Sequence, residues 1–425
     1  MDTKITLSKK DLKLNQRAYI IESMLEYFIA ILTSGAYLAK LTTTIGISDA
    51  MTAVLASVAS LAATFQIFSI LLAHKTPVKR WVFPMTVIPQ TLVATLYLIP
   101  FLNVGAAAPI LFFAITLINQ AAHNIVAPPK SDWFISPIEP KEIGSFQAKN
   151  SIVSIIGGMI FTFITGFTID KYEEEGKIDA LFIILTIVIF VIAIMQMFCL
   201  LFAKSVDTKV EKKESPFKSV GTILKNKAFI HLIVINCIWS VANGITTPFL
   251  STYQIKELGF SMGFISTVTV VLSFANILIV YFFGELSKKR SYRSIFMASY
   301  VFGLIGFGII AFTTPSNGQV MFTIYRVINL LFGGALGVTT TALTFSLVEE
   351  GERTSALAFK SVVTGIFGFV MTLVATPIFT AIQSADITLL GTKVFAQQIL
   401  AAASFVVTLV LLIYYRIFCK KLWSE

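Results

Sequence analysis

Long apolar runs, separated by short polar segments, follow one another along almost the whole chain. Each run has about the 20 residues that an α-helix needs to cross the hydrocarbon core of a bilayer. Two longer apolar stretches are divided by turn-forming residues, one by Pro100, Asn103, Gly105 and Pro109, and the other by the segment 315–318. The pattern predicts twelve membrane spans, numbered 1 to 12, at residues 18–40, 50–73, 82–101, 107–128, 150–170, 180–203, 228–252, 262–284, 294–314, 320–347, 357–382 and 394–416.

The composition indicates a membrane protein and excludes a water-soluble fold. Hydrophobic residues make up 56% of the 425 residues and charged residues 13%, whereas soluble domains average roughly 45–50% apolar and roughly 25% charged residues. The first 17 residues are polar and basic and lack a cleavage site of small residues, so we expect no removable signal peptide. The predicted fold class is all-α and integral to the membrane.

The basic residues are distributed unevenly between the two sides that twelve spans define. Of the 33 lysine and arginine residues, 27 fall on the side of both termini, and Arg326 falls inside a span. Because cytoplasmic loops are enriched in lysine and arginine, both termini are predicted to be cytoplasmic. The net charge of +10 therefore reflects topology, and no nucleic-acid partner is expected. The predicted outer loops carry only Lys40, Lys171, Lys177, Lys256 and Lys393.

The chain divides into two similar halves around a lysine-rich segment. Residues 45–48 (IGIS) after the first span are matched by residues 258–261 (LGFS) after the seventh, 213 positions later. An offset of half the length is what duplication of a six-helix unit leaves behind. The predicted organisation is a cytoplasmic tail at 1–17, a six-helix bundle at 18–203, a cytoplasmic linker at 204–227, a second six-helix bundle at 228–418 and a cytoplasmic tail at 419–425.

Six plus six helices, a basic central loop, cytoplasmic ends and a parallel repeat resemble the major facilitator superfamily of secondary transporters. A loop motif of that family is partly kept: residues 284–290 (GELSKKR) have its glycine and basic run, with Lys288 at the usual aspartate position, and residues 74–80 (HKTPVKR) keep only the charges. The resemblance implies two pseudo-symmetric six-helix bundles that work by alternating access. It also implies that spans 1, 4, 7 and 10 line a central cavity.

Polar side chains, which are costly inside a bilayer, are concentrated on those same four spans. Steps of mostly three, four or seven residues keep them on one face of each helix. The candidates for proton coupling are Glu26 and Glu22 in span 1 and His123 in span 4. The candidates for substrate binding are Asn119, Gln120 and Asn124 in span 4, Asn236, Trp239 and Asn243 in span 7, and Arg326 and Asn329 in span 10.

The residue types suggest different chemical roles. Glu26 lies roughly 12 Å from the predicted cytoplasmic end of span 1, with His123 at a similar depth, so both can exchange a proton in each cycle. Arg326 suits a substrate carboxylate or phosphate because a guanidinium offers paired donors, and Trp239 suits a sugar ring or another flat group. Each residue also has a structural alternative, which is bonding between helices for the polar side chains and core packing for Trp239.

The predicted function is secondary active transport of a small polar organic solute, a sugar or an organic anion, by proton-coupled symport. Drug–proton antiporters of the superfamily usually carry a Gly-Pro signature in span 5, which residues 156–161 (IGGMIF) lack. The 38 phenylalanines keep export of amphipathic drugs by antiport, or lipid flipping, open as alternatives.

Sequence patterns typical of enzymes are missing. The three histidines lie on separate spans or span boundaries, and the three cysteines have no regular spacing. We therefore expect no enzyme, cofactor, metal site or disulfide, and a membrane receptor or membrane-embedded enzyme is only a remote alternative. The expected partners are a small-molecule substrate, protons and the lipid bilayer. The abundance of Lys, Ile and Phe is compatible with a bacterial plasma (inner) membrane. The protein is expected to be a monomer.

Overall fold

The computed structural model describes residues 8–73, 78–102, 104–204, 221, 223–349, 353–389 and 392–419. Some features predicted from sequence lie outside the described residues. These are Asn103, the first four residues of the loop motif at 74–80, residues 205–220 and 222 of the linker, and residues 1–7 and 420–425 of the tails.

The described residues are almost entirely helical, which confirms the predicted all-α membrane fold. Eleven helices are long and apolar enough to cross a membrane, and a bent pair at the start of the chain makes twelve if it counts as one span. Spans 1 to 12 comprise Lys9–Leu32 with Gly35–Thr44, Asp49–Ala62 with Ile67–Ala73, Val78–Val93, Ala108–Ile135, Pro140–Glu174, Ile178–Phe202, Lys227–Thr246, Met262–Lys289, Tyr292–Ala311, Gly318–Ser346, Arg353–Ala385 and Ala396–Tyr414.

Short irregular segments extend several spans. The 3₁₀ helix Ala94–Leu102 continues span 3, and the π-helices Tyr253–Glu257 and Tyr415–Cys419 extend spans 7 and 12. A minimal antiparallel hairpin between spans 11 and 12 is the exception to helical structure within the described ranges. In it, β1 (Thr388–Leu389) pairs with β2 (Thr392–Lys393).

The bend in span 1 has a local cause in the sequence. The hydroxyl of Thr33 donates to the carbonyl of Ile29 at 2.8 Å, and the hydroxyl of Ser34 donates to the carbonyl of Ala30 at 2.6 Å. Such bonds compete with the backbone ladder and favour a break. Gly35 follows with φ of 54°, a conformation that costs glycine little. The two helices of span 1 therefore meet at 42°.

Contacts group the described residues into two compact units. The predicted bundles differ from these units, because the helix Asp49–Ala62 groups with the second unit and the start of span 8 groups with the first. The first unit comprises the described residues of Met1–Leu41, Phe65–Lys213 and Met262–Val270, and the second comprises those of Thr42–Thr64, Glu214–Ser261 and Val271–Glu425.

Each unit has its own apolar core. Spans 1, 3, 4 and 6 meet in the first unit through Ala18, Val82, Val126, Phe134 and Leu200. Because these residues are buried together, the polar faces of spans 1, 3 and 4 are held side by side. In the second unit, spans 7, 9, 10 and 12 meet through Phe229, Leu232, Phe296, Tyr300, Phe332 and Leu411.

Candidate functional site

Two carboxylates of span 1 and an ammonium of span 4 form a buried ionic group in the first unit. Glu22 and Glu26 are four residues apart and therefore share one face of their helix. The Nζ atom of Lys130 lies 2.8 Å from Oε1 of Glu22 and 2.8 Å from Oε2 of Glu26. The side chains of Lys130 and Glu22 are 5% and 0% exposed. One lysine thus bridges both acids away from water.

His123 extends this group toward a more open region. Its Nδ1 atom lies 3.0 Å from Oε1 of Glu26, and its side chain is 45% exposed, against 20% for Glu26. The amide of Gln90 in span 3 donates to the same Oε1 atom at 3.4 Å. Exposure therefore rises from Glu22 through Glu26 to His123, which is the most accessible titratable member of the group. Glu22, Glu26, Lys130, His123 and Gln90 are called the ionic cluster below.

The charges of the ionic cluster do not balance when the imidazole is neutral. Two carboxylates and one ammonium leave a net charge of −1, and an uncompensated charge is expensive at this depth. One proton, on the imidazole or on a carboxylate, makes the cluster neutral. The arrangement can therefore take up one proton and release it again.

Lys130 is the member of the cluster that the sequence analysis missed. Predicted span 4 ended at residue 128, so Lys130 was assigned to a cytoplasmic loop, and the structure corrects this assignment. The helix continues through Pro128 and Pro129 to Ile135. Lys130 follows His123 by seven residues, a spacing that places both on one helix face. That spacing could have placed Lys130 on the polar face of span 4. The two prolines, which usually end a helix, led to the shorter predicted span.

A cleft lies beside the ionic cluster. Its empty volume, which includes the open space at its mouth, is about 190 Å³. Asn119, a predicted substrate residue, contributes to its wall. The other two span 4 amides are not among its lining residues, and the side chain of Asn124 donates to the carbonyl of Gln120 at 2.8 Å. This cleft, called the polar cleft, is lined by Glu26, Met85, Thr86, Gln90, Asn119, His123 and Val126.

A second cleft, the aromatic cleft, lies within the second unit and has an empty volume of about 240 Å³. Three predicted substrate residues, Trp239, Asn243 and Asn329, line it. Span 9, which the sequence analysis did not assign to a cavity, supplies much of the wall. The remaining lining residues are Thr247, Phe302, Gly303, Gly306, Phe307 and Tyr325.

The other substrate candidates of the second unit lie elsewhere. Asn236 is buried, and its side-chain amide donates to the carbonyl of Leu232 at 2.7 Å, so it is engaged within its own helix. Arg326 is half-buried and follows the lining residue Tyr325, but is not itself a lining residue of the aromatic cleft.

Trp239 combines packing with access to the aromatic cleft. Its ring centroid lies 4.4 Å from that of Phe332 and 5.4 Å from that of Tyr300, which places one side of the indole in the core. The absence of a side chain at Gly303 leaves room for the rest of the ring, since a Cβ atom there would lie 2.5 Å from Cη2 of Trp239. No group of three or more metal-ligating side chains occurs among the residues that the structure describes.

Comparisons with known proteins agree with this architecture. The family model described as Major Facilitator Superfamily matches residues 20–375 and, in a second match, residues 240–418. No curated protein shows significant sequence similarity to the chain.

Solved transporters share the fold at low sequence identity. A variant of the nucleoside transporter NupG gives a TM-score of 0.72 at 15% identity, covering 95% of this chain and 100% of that chain. A bacterial homologue of the human lysosomal transporter Spinster, in an inward-facing and unoccupied conformation, gives 0.70 at 13% identity and covers 96% and 97%. A D-xylose–proton symporter gives 0.66 at 12% identity and covers 93% and 96%. At these identities the similarity concerns the fold alone.

Proposed function

Because the chain belongs to the Major Facilitator Superfamily of membrane transporters, we propose that it moves a small polar organic solute by alternating access, in symport with protons. The ionic cluster is the observation that carries this proposal. With a neutral imidazole the cluster has a net charge of −1, which favours binding of a proton. Because exposure increases toward His123, the proton enters and leaves through the histidine. The solute occupies the polar cleft, next to the proton.

In this mechanism Glu26 and His123 share the transported proton. The hydrogen-bonded distance of 3.0 Å between them allows the proton to pass between imidazole and carboxylate without further movement. Lys130 forms an ion pair with the other carboxylate oxygen of Glu26, and Glu22 forms a second ion pair with Lys130. Protonation removes the excess charge and raises the affinity for solute, and by linkage bound solute raises the affinity for the proton.

Export of an amphipathic compound by proton antiport is the second candidate. The aromatic cleft favours it, because Trp239, Phe302, Phe307 and Tyr325 offer apolar ring surface to a hydrophobic substrate. The two candidates differ in the direction of solute movement relative to the proton. We further propose that both termini lie in the cytoplasm, which the distribution of basic residues supports. The proposal also takes the protein as a monomer in a bacterial plasma membrane.

Uptake into proteoliposomes tests the function. The purified chain is reconstituted, a pH gradient is imposed, and radiolabelled sugars, polyols, amino acids and organic acids are supplied one at a time. A gradient of one pH unit is worth about 1.4 kcal/mol per proton and can sustain an about tenfold solute gradient. We expect accumulation of at least one polar solute, and its collapse when a protonophore is added. Solute loss driven by the same gradient would support the antiport candidate instead.

Two variants test the coupling role of the ionic cluster. We expect Glu26→Gln to abolish accumulation but to keep exchange of labelled for unlabelled solute, because exchange needs no net proton movement. His123→Gln should flatten the pH dependence of uptake between about pH 5 and 8, the range in which histidine titrates. Glu285→Gln is the matched control, because Glu285 pairs only with Lys288 on an exposed face among the described contacts. Normal accumulation by Glu26→Gln would contradict the proposal.

A further inference from the structure

Gln90 has a hydrogen-bonding atom that no described residue pairs with. The residue lies in span 3 and is 6% exposed. Its Nε2 atom donates to Glu26, whereas its Oε1 atom has no hydrogen-bond partner among the described residues. Buried polar atoms are nearly always paired, since an unpaired acceptor costs free energy. An unpaired acceptor in the wall of the polar cleft therefore points to a donor that arrives with a ligand.

The orientation of the Gln90 amide follows from its neighbour. With the NH₂ group toward Glu26, the amide donates to a carboxylate oxygen. In the reverse orientation the amide oxygen and the carboxylate oxygen, both acceptors, would face each other at the same distance. The carboxylate therefore fixes Oε1 of Gln90 as the atom that remains available.

None of the described lining residues of the polar cleft donates a hydrogen bond to this oxygen. The hydroxyl of Thr86 already donates to the carbonyl of Val82 at 2.9 Å. Met85 and Val126 present apolar atoms, and His123 is directed at Glu26. The cleft wall around Gln90 thus combines acceptors and apolar surface with the amide of Asn119, which does not bond Oε1 of Gln90.

We propose that Oε1 of Gln90 accepts a hydrogen bond from a hydroxyl group of the transported solute, which is a neutral, hydroxyl-bearing molecule such as a sugar or polyol. This inference rests on the proposed transport function and narrows its substrate class. An organic anion fits the polar cleft poorly, because the Glu26 carboxylate and the Gln90 carbonyl would both repel it. A sugar or polyol instead brings several donors to these acceptors. Gln90 is then a specificity-determining residue.

The experiment pairs variants of Gln90 with solutes that lack single hydroxyl groups. Uptake by the full chain in proteoliposomes is measured for radiolabelled sugars and polyols, for the deoxy derivatives of the best solute, and for organic anions of similar size. Gln90→Met keeps the length of the side chain and removes both the Oε1 acceptor and the Nε2 donor to Glu26. The matched control is Thr91→Val on the same helix, because Thr91 does not line the polar cleft and its hydroxyl is bonded to the carbonyl of Val87.

We expect Gln90→Met to raise KM for the best solute tenfold or more and, because it also removes a hydrogen bond to Glu26, to shift the pH dependence of uptake without abolishing it. One deoxy derivative should show the same loss with the parent protein and no additional loss with Gln90→Met, because both changes remove the same hydrogen bond to the solute. If Gln90→Met does not fold, Gln90→Asn with its shorter reach and the deoxy series on the parent protein give the same comparison.

Three outcomes would overturn the inference. An unchanged KM for Gln90→Met, or losses that add fully for every deoxy derivative, would show that Gln90 does not contact the solute. Accumulation of organic anions alone would leave proton-coupled transport intact and remove this substrate class. Failure of the parent protein to accumulate any solute would refute the proposed function itself, and this inference with it.

Discussion

At the scale of single residues, Lys130 holds the ionic cluster together. Its ammonium group lies between two carboxylates that would otherwise face each other in a region with little water. Removing one partner of a buried ion pair leaves an uncompensated charge, and such changes cost about 3–5 kcal/mol. An exposed ion pair such as Lys177 with Glu175, at 2.7 Å, has no comparable penalty because water replaces the lost partner.

We therefore expect Lys130→Met to destabilise the protein by about 3–5 kcal/mol and Lys177→Met to have little effect. Thermal unfolding of both variants in detergent, followed by tryptophan fluorescence, measures the difference. Addition of Glu22→Gln to Lys130→Met should restore part of the loss, because it removes the charge of the fully buried carboxylate that had been paired with Lys130. Equal stability of the two lysine variants would mean that the ionic cluster does not carry its charges as described.

At the scale of helices, span 9 packs through two glycines in different surroundings, Gly303 against span 7 and Gly308 against span 12. A Cβ atom at Gly303 would lie 2.5 Å from the Trp239 ring, whereas one at Gly308 would lie 3.5 Å from the Phe405 ring, an ordinary contact. An alanine in a helix is favoured over a glycine by roughly 0.5–1 kcal/mol when there is space for its methyl group. Substitution by alanine therefore tests a steric clash at Gly303 and the helix propensity of the backbone at Gly308.

We expect Gly308→Ala to stabilise the protein by roughly 0.5–1 kcal/mol and Gly303→Ala to destabilise it, because Trp239 must shift into the aromatic cleft. The midpoint of thermal unfolding should rise for Gly308→Ala and fall for Gly303→Ala. The emission maximum of Trp239, in a background with the other tryptophans replaced by phenylalanine, should move only with Gly303→Ala. A stabilising Gly303→Ala would show that the ring moves without cost.

The helices also account for the residue that the sequence analysis misplaced. Span 4 runs through Pro128 and Pro129, although prolines usually end or kink a helix. Because the helix persists to Ile135, Lys130 stays on the face of His123 and inside the first unit. Local sequence rules place a probable boundary at such prolines, and only the surrounding packing decides whether the helix stops.

At the scale of the whole molecule, the repeat seen in the sequence recurs in local structure. Gly46 and Gly259, 213 residues apart, end spans 1 and 7 with positive φ angles of 79° and 65°. The next helices begin at Asp49 and Met262, again 213 apart. The start of the first is hydrogen-bonded to span 11 and the start of the second to span 5. Gln383 donates to Asp49 at 3.0 Å in the second unit. Asp170, 213 residues before Gln383, accepts from the backbone of Met262 at 2.8 Å in the first unit.

The predicted orientation of the whole chain can be tested by labelling. In a variant without the native cysteines, Lys177→Cys lies in a predicted outer loop and Lys289→Cys in a predicted cytoplasmic loop. A membrane-impermeant maleimide added to intact cells should label the first variant and leave the second unlabelled until the membrane is opened. The reverse result would invert the topology drawn from the basic residues.

The candidate site was predictable in part. Glu26 and His123 were identified because titratable side chains are rare in apolar spans, and the structure brings them within 3.0 Å of each other. Their role in proton coupling stays a prediction. Gln90 and Gly303 were not identified, because an amide or a glycine in a helix is too common to stand out without its neighbours.

The sequence by itself determined the number and order of the spans and the family, since hydropathy and turn residues act within about 20 residues of chain. Only the tertiary structure decided which side chains meet. Lys130 reaches Glu22 and Glu26, and Gln90 reaches Glu26, across helices whose rotation and true ends depend on packing. Such a pairing requires atoms from segments far apart in sequence to lie within about 3 Å of each other. The local sequence pattern carries no information about those distances.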